Sequence, residues 1–287
     1  MQVTDVNEKE YRLLNGKVTR REEQFGHSYF HDKYGWPVGS TTLLGQAIPK
    51  DEGLLNYFKH GDPYEMEERL EETSRQGTRV HQACELLMNG ETVQADLLIT
   101  EKEKKCVASF IEWFRAWNPT SVYTEQVVAY YLKRPTIDVK YAGTLDILCK
   151  LNGVWTVVDI KTGRQNKMSH GLQIVSYGEA VSQSLLDKDN NPIKVEKHIA
   201  LYLGTAHKTN TKTKNSLGLQ KSGIGWNTEE SEYTFDDFMR VYDYFIFLNN
   251  GQYPEPPKVQ VYPREFRLLT EIMEKPIEQS SSSEIVN

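Results

Sequence analysis

Gly143-Thr144-Leu145-Asp146-Ile147-Leu148-Cys149-Lys150-Leu151-Asn152-Gly153-Val154-Trp155-Thr156-Val157-Val158-Asp159-Ile160-Lys161 is the stretch whose reading decides the fold. Asn-Gly between two apolar runs marks a two-residue type I′ hairpin, because both central residues must take positive φ. With Asn152-Gly153 at the turn, Leu151 faces Val154, and the residue numbers of every opposed pair sum to 305. Asp146 then falls opposite Asp159, and Lys161 opposite Thr144, on the same face as Asp159. Like charges directly opposed destabilise a sheet. Two carboxylates about 5 Å apart repel by about 3 kcal/mol at an effective dielectric near 20. A divalent cation between them reverses that sign, and hard Mg²⁺ or Mn²⁺ takes one or two carboxylates. A slipped register, or one proton shared by the two acids, would relieve the same repulsion.

Downstream, helical character over Met168 to Leu186 puts Gln173 and Tyr177 four residues apart on one face, and His198 to Gly204 reads as a strand. Thr205 to Thr228 is a loop with no acids and four lysines, Lys208, Lys212, Lys214 and Lys221, with Trp226 near its end. Such a loop could neutralise phosphates and offer a base-stacking ring. Phe235 to Leu248 reads as a helix capped by Thr234, with Asp236 and Asp237 in its first turn. The tail from Glu274, with serines at 280 to 283, has a disordered composition.

Upstream, Ser121 to Leu132 is a β-branched and aromatic strand carrying Glu125. Thr100 to Trp117 is a helix with a Thr100/Glu103 capping box and an apolar stripe of Val107, Phe110, Ile111 and Phe114. Tyr64 to Gly90 reads as one or two helices holding Arg75, Arg79, His81 and Glu85, the last two on one face. Asp51 to Phe58 reads as a short helix. Ser28 to Leu44 reads as β-like, ending in Ser40-Thr41-Thr42-Leu43-Leu44. Residues 1–27 are polar, with a hairpin signal at Asn15-Gly16 and two further basic candidates, Arg20 and Arg21. These elements make one α/β domain over 28–273, with an N-terminal extension (1–27) and a disordered tail (274–287).

The composition narrows the partners. With 34 Lys plus Arg against 40 Asp plus Glu, the net charge of −6 argues against a protein that coats nucleic acid through global basicity, but not against a local basic groove. The 3 cysteines, Cys84, Cys106 and Cys149, form no C-x-x-C pair, which excludes a zinc ribbon or a four-cysteine iron–sulfur cluster within the chain. The N-terminus lacks a basic and an apolar leader region, and no long apolar run occurs, so a cytoplasmic location with no membrane association is expected.

Gly143-Thr144-Leu145-Asp146, Val158-Asp159-Ile160-Lys161-Thr162-Gly163 and Gln173-Ile174-Val175-Ser176-Tyr177 resemble the PD-(D/E)XK nuclease superfamily, and within it the RecB-like exonuclease branch with its Q-x-x-x-Y motif. Gly77-Thr78-Arg79-Val80-His81 with Glu85 resembles that branch's helical GT-x-x-H…E motif. Ser40-Thr41-Thr42-Leu43-Leu44 resembles a segment of phage-encoded RecB-like nucleases and of the mitochondrial genome maintenance exonuclease. Leu145 stands where the superfamily name has Pro, and the second acid is Asp159 rather than Glu. No phosphate-binding G-x-x-x-x-G-K-[ST] occurs, so an ATP-driven motor would be another chain.

The resemblance implies a restriction-endonuclease-like core, with a central mixed sheet, flanking helices and a helical N-terminal arch. It implies an Mg²⁺- or Mn²⁺-dependent deoxyribonuclease, with one or two ions and neither nucleotide nor iron–sulfur cluster. Metal ligands would be His81, Asp146, Asp159 and the Ile160 carbonyl; Lys161 would orient or activate water; Gln173 and Tyr177 would support it by touching the DNA backbone or the lysine. Glu85 and Glu125 are further acidic candidates, and Lys208, Lys212, Lys214, Lys221, Trp226, Arg75 and Arg79 are candidate DNA contacts. The expected activity is exonucleolytic, on single-stranded or linear DNA ends, in phage-like recombination, repair or replication and with a possible partner protein. A structure-selective or restriction-like endonuclease, and a silent nucleic-acid-binding subunit, are the alternatives.

Overall fold

The computed structural model describes residues 8–23, 26–50, 62–204 and 225–253. Asn152 (φ 52°) and Gly153 (φ 84°) both take positive φ, as a type I′ turn requires. The hairpin joins β6 (Val139–Leu151) to β7 (Val154–Lys161), and the pairs from Leu151–Val154 to Ile147–Val158 follow the expected register. The ladder stops there. Asp146 and Asp159 are not a ladder pair, and Lys161 does not face Thr144. Beyond Val158, β7 leaves β6 and continues in parallel against β8 (Lys197–Leu203), where Lys161 pairs with Tyr202.

The central six-stranded sheet is mixed. Strand β5 (Thr120–Leu132) runs antiparallel along one edge of β6. The other edge is shared. The short β4 (Val38–Gly39) pairs in parallel with Tyr141 and Ala142, and β7 takes over from Ile147. Strand β9 (Trp226–Glu230) closes the far side against β8.

Helices cover both faces. On one face α2 (Pro63–Met88) and α3 (Glu101–Trp117) bury Val80, Cys84, Phe110 and Trp113 against Ile147, Val158, Ile160 and Leu201. On the other, α1 (Ser40–Ala47), α4 (Lys167–Ser184) and α5 (Phe235–Leu248) bury Leu43, Ile174, Tyr177, Phe238 and Tyr242 against Tyr141, Leu145, Leu148 and Val157. The capping boxes of Thr100 with Glu103 and of Thr234 with Asp237 start α3 and α5. All three cysteines are buried and free. No helix among the described residues is long and apolar enough to cross a membrane.

Ser40 to Leu44 is a helix rather than the end of a β-like stretch. Ser40, Leu43, Leu44 and Ala47 are its buried residues, a spacing of one helical face. The Ser40 hydroxyl lies 2.6 Å from that of Ser176 on α4. The segment from Tyr64 onward is one helix of 26 residues. The short helix expected at Asp51 to Phe58 and the tail from Glu274 lie outside the described residues.

An N-terminal antiparallel sheet of β1 (Glu8–Leu13), β2 (Gly16–Glu23) and β3 (Gly26–His31) contains the hairpin expected at Asn15-Gly16. Strand β3 straddles residue 27. Val18 and Tyr29 pack on Val127, Ala129 and Ala142, and Asn15 Nδ2 donates to the Ala129 carbonyl at 3.0 Å. This seats the small sheet on β5 and β6.

Burial gives the fold a pH dependence. His198 sits against Gly178 of α4, where an added Cβ would come 2.2 Å from Nε2. Burial pulls the His198 pKa down from 6.5 to about 4, and burial with the Lys161 charge does the same to His170. The unfolded chain accepts these protons near its ordinary histidine pKa, while the folded chain refuses them until about pH 4, so acidification weakens the fold at both sites. The urea midpoint of His198→Gln should therefore fall less between pH 7 and pH 5 than that of the parent; an equal fall would contradict the burial argument.

Candidate active site

The two tenants of one β6 edge leave an interval. Gly143, Thr144, Leu145 and Asp146 lie between the last residue paired with β4 and the first paired with β7. The Asp146 side chain substitutes for the missing ladder, its Oδ2 accepting the Ile160 N–H at 2.6 Å. Groups from both helical layers converge here. From α2, His81 Nδ1 comes to 3.1 Å from Asp146 Oδ1. From α4, the Tyr177 ring lies against Gly143, where a Cβ would stand 2.3 Å from Tyr177 Cε1. Only glycine admits that ring.

Glu125 joins from β5. Its neighbours Thr124 and Gln126 pair with Ile147 and Leu145, which sets Glu125 across from Asp146. Glu125 itself takes φ 48°, a left-handed backbone that costs a non-glycine residue about 1–3 kcal/mol and clusters at functional sites. Both strands change phase at this point. Leu145 and Leu148 share one core although they are three residues apart, and Ile147 belongs to the opposite one. One ligand atom each from His81, Glu125 and Asp146 lie within 4.8 Å of one another.

Asp159 stands beside this trio. Its Oδ2 is 2.5 Å from Lys161 Nζ, and its Oδ1 accepts from Gln173 Nε2 at 3.3 Å. Lys161 also donates to Gln173 Oε1 at 3.1 Å, and Gln173 Nε2 reaches the Tyr177 hydroxyl at 3.0 Å. Gln173 thus touches both the Lys161 ammonium and Asp159, and Tyr177 touches Gln173.

The electrostatics are those of too many acids in too little water. Burial raises the pKa of Glu125 to about 7, with Asp146 and Glu85 adding to it and His81 and Arg20 opposing. Burial also raises Asp159, with Asp146 adding against the Lys161 charge. Asp146 is held below its ordinary value, because His81, Lys161 and the Ile160 N–H outweigh its burial. Burial works against His81 as an imidazolium, but the charge and hydrogen bond of Asp146, helped by Asp159, lift it to about 9. A nitrogen and two carboxylates facing one point are a donor set that fits a divalent cation.

The remaining candidates are spread out. Glu85 is half-buried one turn beyond His81 and outside the trio. Arg79 donates to Glu103 Oε1 at 2.6 Å and to Glu72 at 2.9 Å, and so ties α2 to the buried Glu103 of α3. Arg75 pairs with Glu71 and Glu72 on its own helix. Trp226 is half-buried against the layer of α2 and α3. Lys208, Lys212, Lys214 and Lys221 lie outside the described residues. Sequence reasoning did not place Tyr29 or Thr144 at the site, nor Arg20 beside the acids. Arg20 Nη1 is 3.2 Å from Thr144 Oγ1 and 3.7 Å from Glu125 Oε2, and the Tyr29 hydroxyl is 3.0 Å from Thr144 Oγ1.

A family model described as the PD-(D/E)XK nuclease superfamily matches residues 54–243, a span holding His81, Glu125, Asp146, Asp159, Lys161, Gln173 and Tyr177. The chain belongs to the PD-(D/E)XK nuclease superfamily. The mixed sheet with flanking helices agrees with the restriction-endonuclease-like fold of that superfamily. No match was found among curated proteins. Among solved structures, that entitled "Crystal structure of SSO0001" aligns with 74% of this chain and 84% of its own at 15% identity, with a TM-score of 0.35, too loose a likeness to carry an argument.

For a superfamily member whose acids are arranged in this way, the metal-free state has a measurable signature. The His81 imidazole should titrate near pH 9 by NMR, well above 6.5. Asp146→Asn removes the largest raising influence and leaves burial opposed only by Asp159, so the titration should fall well below 9. A titration that stays near 9 in the variant would refute the Asp146 origin of the shift.

Proposed function

We propose that this nuclease is a metal-dependent DNA exonuclease of the RecB-like branch, hydrolysing phosphodiester bonds from single-stranded or linear ends. The observation that carries the reading is the convergence of His81, Glu125 and Asp146 within 4.8 Å, beside a lysine held 3.1 Å from Gln173. In this reading His81, Glu125 and Asp146 would hold an Mg²⁺ or Mn²⁺ ion, with Asp159 and the Ile160 carbonyl as further ligands. The ion, when bound, polarises a phosphoryl oxygen and lowers the pKa of water.

Lys161 orients the attacking water and balances charge that develops on the phosphoryl oxygens. Gln173 fixes the ammonium, and Tyr177 fixes Gln173. The water oxygen forms a bond to phosphorus as the bridging P–O bond opposite it breaks; the proton that the water loses passes to solvent, and the departing oxygen takes one from solvent. One product carries the phosphate and the other a hydroxyl. The Q-x-x-x-Y pair on α4 and the His on α2 favour the RecB-like branch. Lys208, Lys212, Lys214 and Lys221 would neutralise backbone phosphates, which gives an acidic chain a local attraction for DNA. The same reading includes a role in phage-like recombination, repair or replication inside the cell, with a possible partner protein.

The test uses end-labelled linear and circular single-stranded DNA with Mg²⁺ or Mn²⁺. The linear strand should be degraded from its ends and the circle spared, and Asp159→Ala and Lys161→Ala should each lower the rate by at least about a hundredfold. Cleavage of the circle would replace the exonuclease reading with an endonuclease. Full activity in both variants would remove the assigned residues, and binding without cleavage by the parent would mark a silent subunit.

A further inference from the structure

Arg20 comes from the small N-terminal sheet, outside the span matched by the superfamily. It nevertheless reaches the site. Its Nη2 is fastened to Glu22 at 2.9 Å and to His27 at 3.1 Å, and its Nη1 faces Thr144 and Glu125. The side chain is 14% exposed, and its buried Nε has no hydrogen-bond partner among the described residues. That nitrogen is closed off from solvent, so the edge the guanidinium turns toward the acids is its Nη1 side.

Strands β5 and β7 lie on opposite edges of β6. Glu125 on β5, Asp146 on β6 and Asp159 on β7 therefore form a row with a cation at each end, Arg20 beside Glu125 and Lys161 beside Asp159. In-line displacement at phosphorus likewise has two ends, the attacking and the leaving oxygen. Resting on the reading that Lys161 serves the attacking water, we infer that Arg20 serves the other end, donating to the leaving oxygen and an adjacent non-bridging oxygen of the scissile phosphate. As the bridging P–O bond breaks, its electron pair passes to the leaving oxygen. The guanidinium offsets that charge without giving up its own proton, and solvent supplies the proton that completes the hydroxyl. Arg20 is then a catalytic residue contributed by an element that the family resemblance does not reach.

The test changes the leaving group. A DNA strand with a bridging phosphorothiolate, sulfur in the 3′ or the 5′ bridging position, expels a thiolate, whose conjugate acid has a pKa near 8.5 and which needs little electrostatic help. Arg20→Ala should lower kcat on the ordinary strand by about 100- to 1,000-fold. On the phosphorothiolate strand that loss should shrink by about tenfold or more, while the loss in Lys161→Ala stays the same on both. Arg20→Lys, which keeps the charge without the fork, should fall between, and it replaces Arg20→Ala if melting shows that the latter is unfolded. An Arg20 variant that loses the same factor on both strands, or nothing, overturns the assignment, since a residue acting through Glu125 or through folding ignores the leaving group. A parent protein that cleaves neither strand overturns the nuclease reading itself and this assignment with it.

Discussion

The hydrogen bond from the Ile160 N–H to Asp146 Oδ2, at 2.6 Å, is the contact on which the site depends. It stands where a strand partner would otherwise be. A backbone N–H at this depth must find an acceptor, and the carboxylate provides one while letting β7 swing away from β6. The opening that results gives His81 access from one helical layer and Tyr177 from the other. In an unbroken sheet these two layers would never meet, because the sheet lies between them.

Charge is managed by position rather than by number. The chain carries a surplus of six acids, but Asp146, Asp159 and Glu125 matter because they are buried close together. Lys161 answers one end of this row and Arg20 the other, each with its head group steadied by neighbours. Arg79 does comparable work at a distance. Its pairing with the buried Glu103 locks α2 to α3 two residues before His81, and so sets the direction from which the imidazole approaches.

Some of this was legible along the chain. The Asn-Gly turn specified the hairpin register as far as Ile147–Val158, and the Thr100–Glu103 capping box and the Thr234 cap start their helices as expected, because these are local interactions between residues a few positions apart. Ser40 to Leu44 was misread although its helical spacing was visible. The burial that makes Ser40, Leu43, Leu44 and Ala47 one face involves α4 and α5, far along the sequence.

The sequence alone determined which residue types are available, their order, and the superfamily they resemble. It also placed Asp146 and Asp159 near each other, through the turn that joins their strands. Only the tertiary structure decided that the two acids are splayed rather than opposed, since the ladder with β6 ends at Ile147–Val158 while β8, on the other edge of β7, keeps its pairing as far as Lys161. It likewise decided that Glu125 leaves the regular strand to face Asp146, and that Arg20 arrives from a separate sheet. Register propagates only while two strands stay paired; where they part, contacts between residues distant in sequence set the geometry, and no local pattern records them.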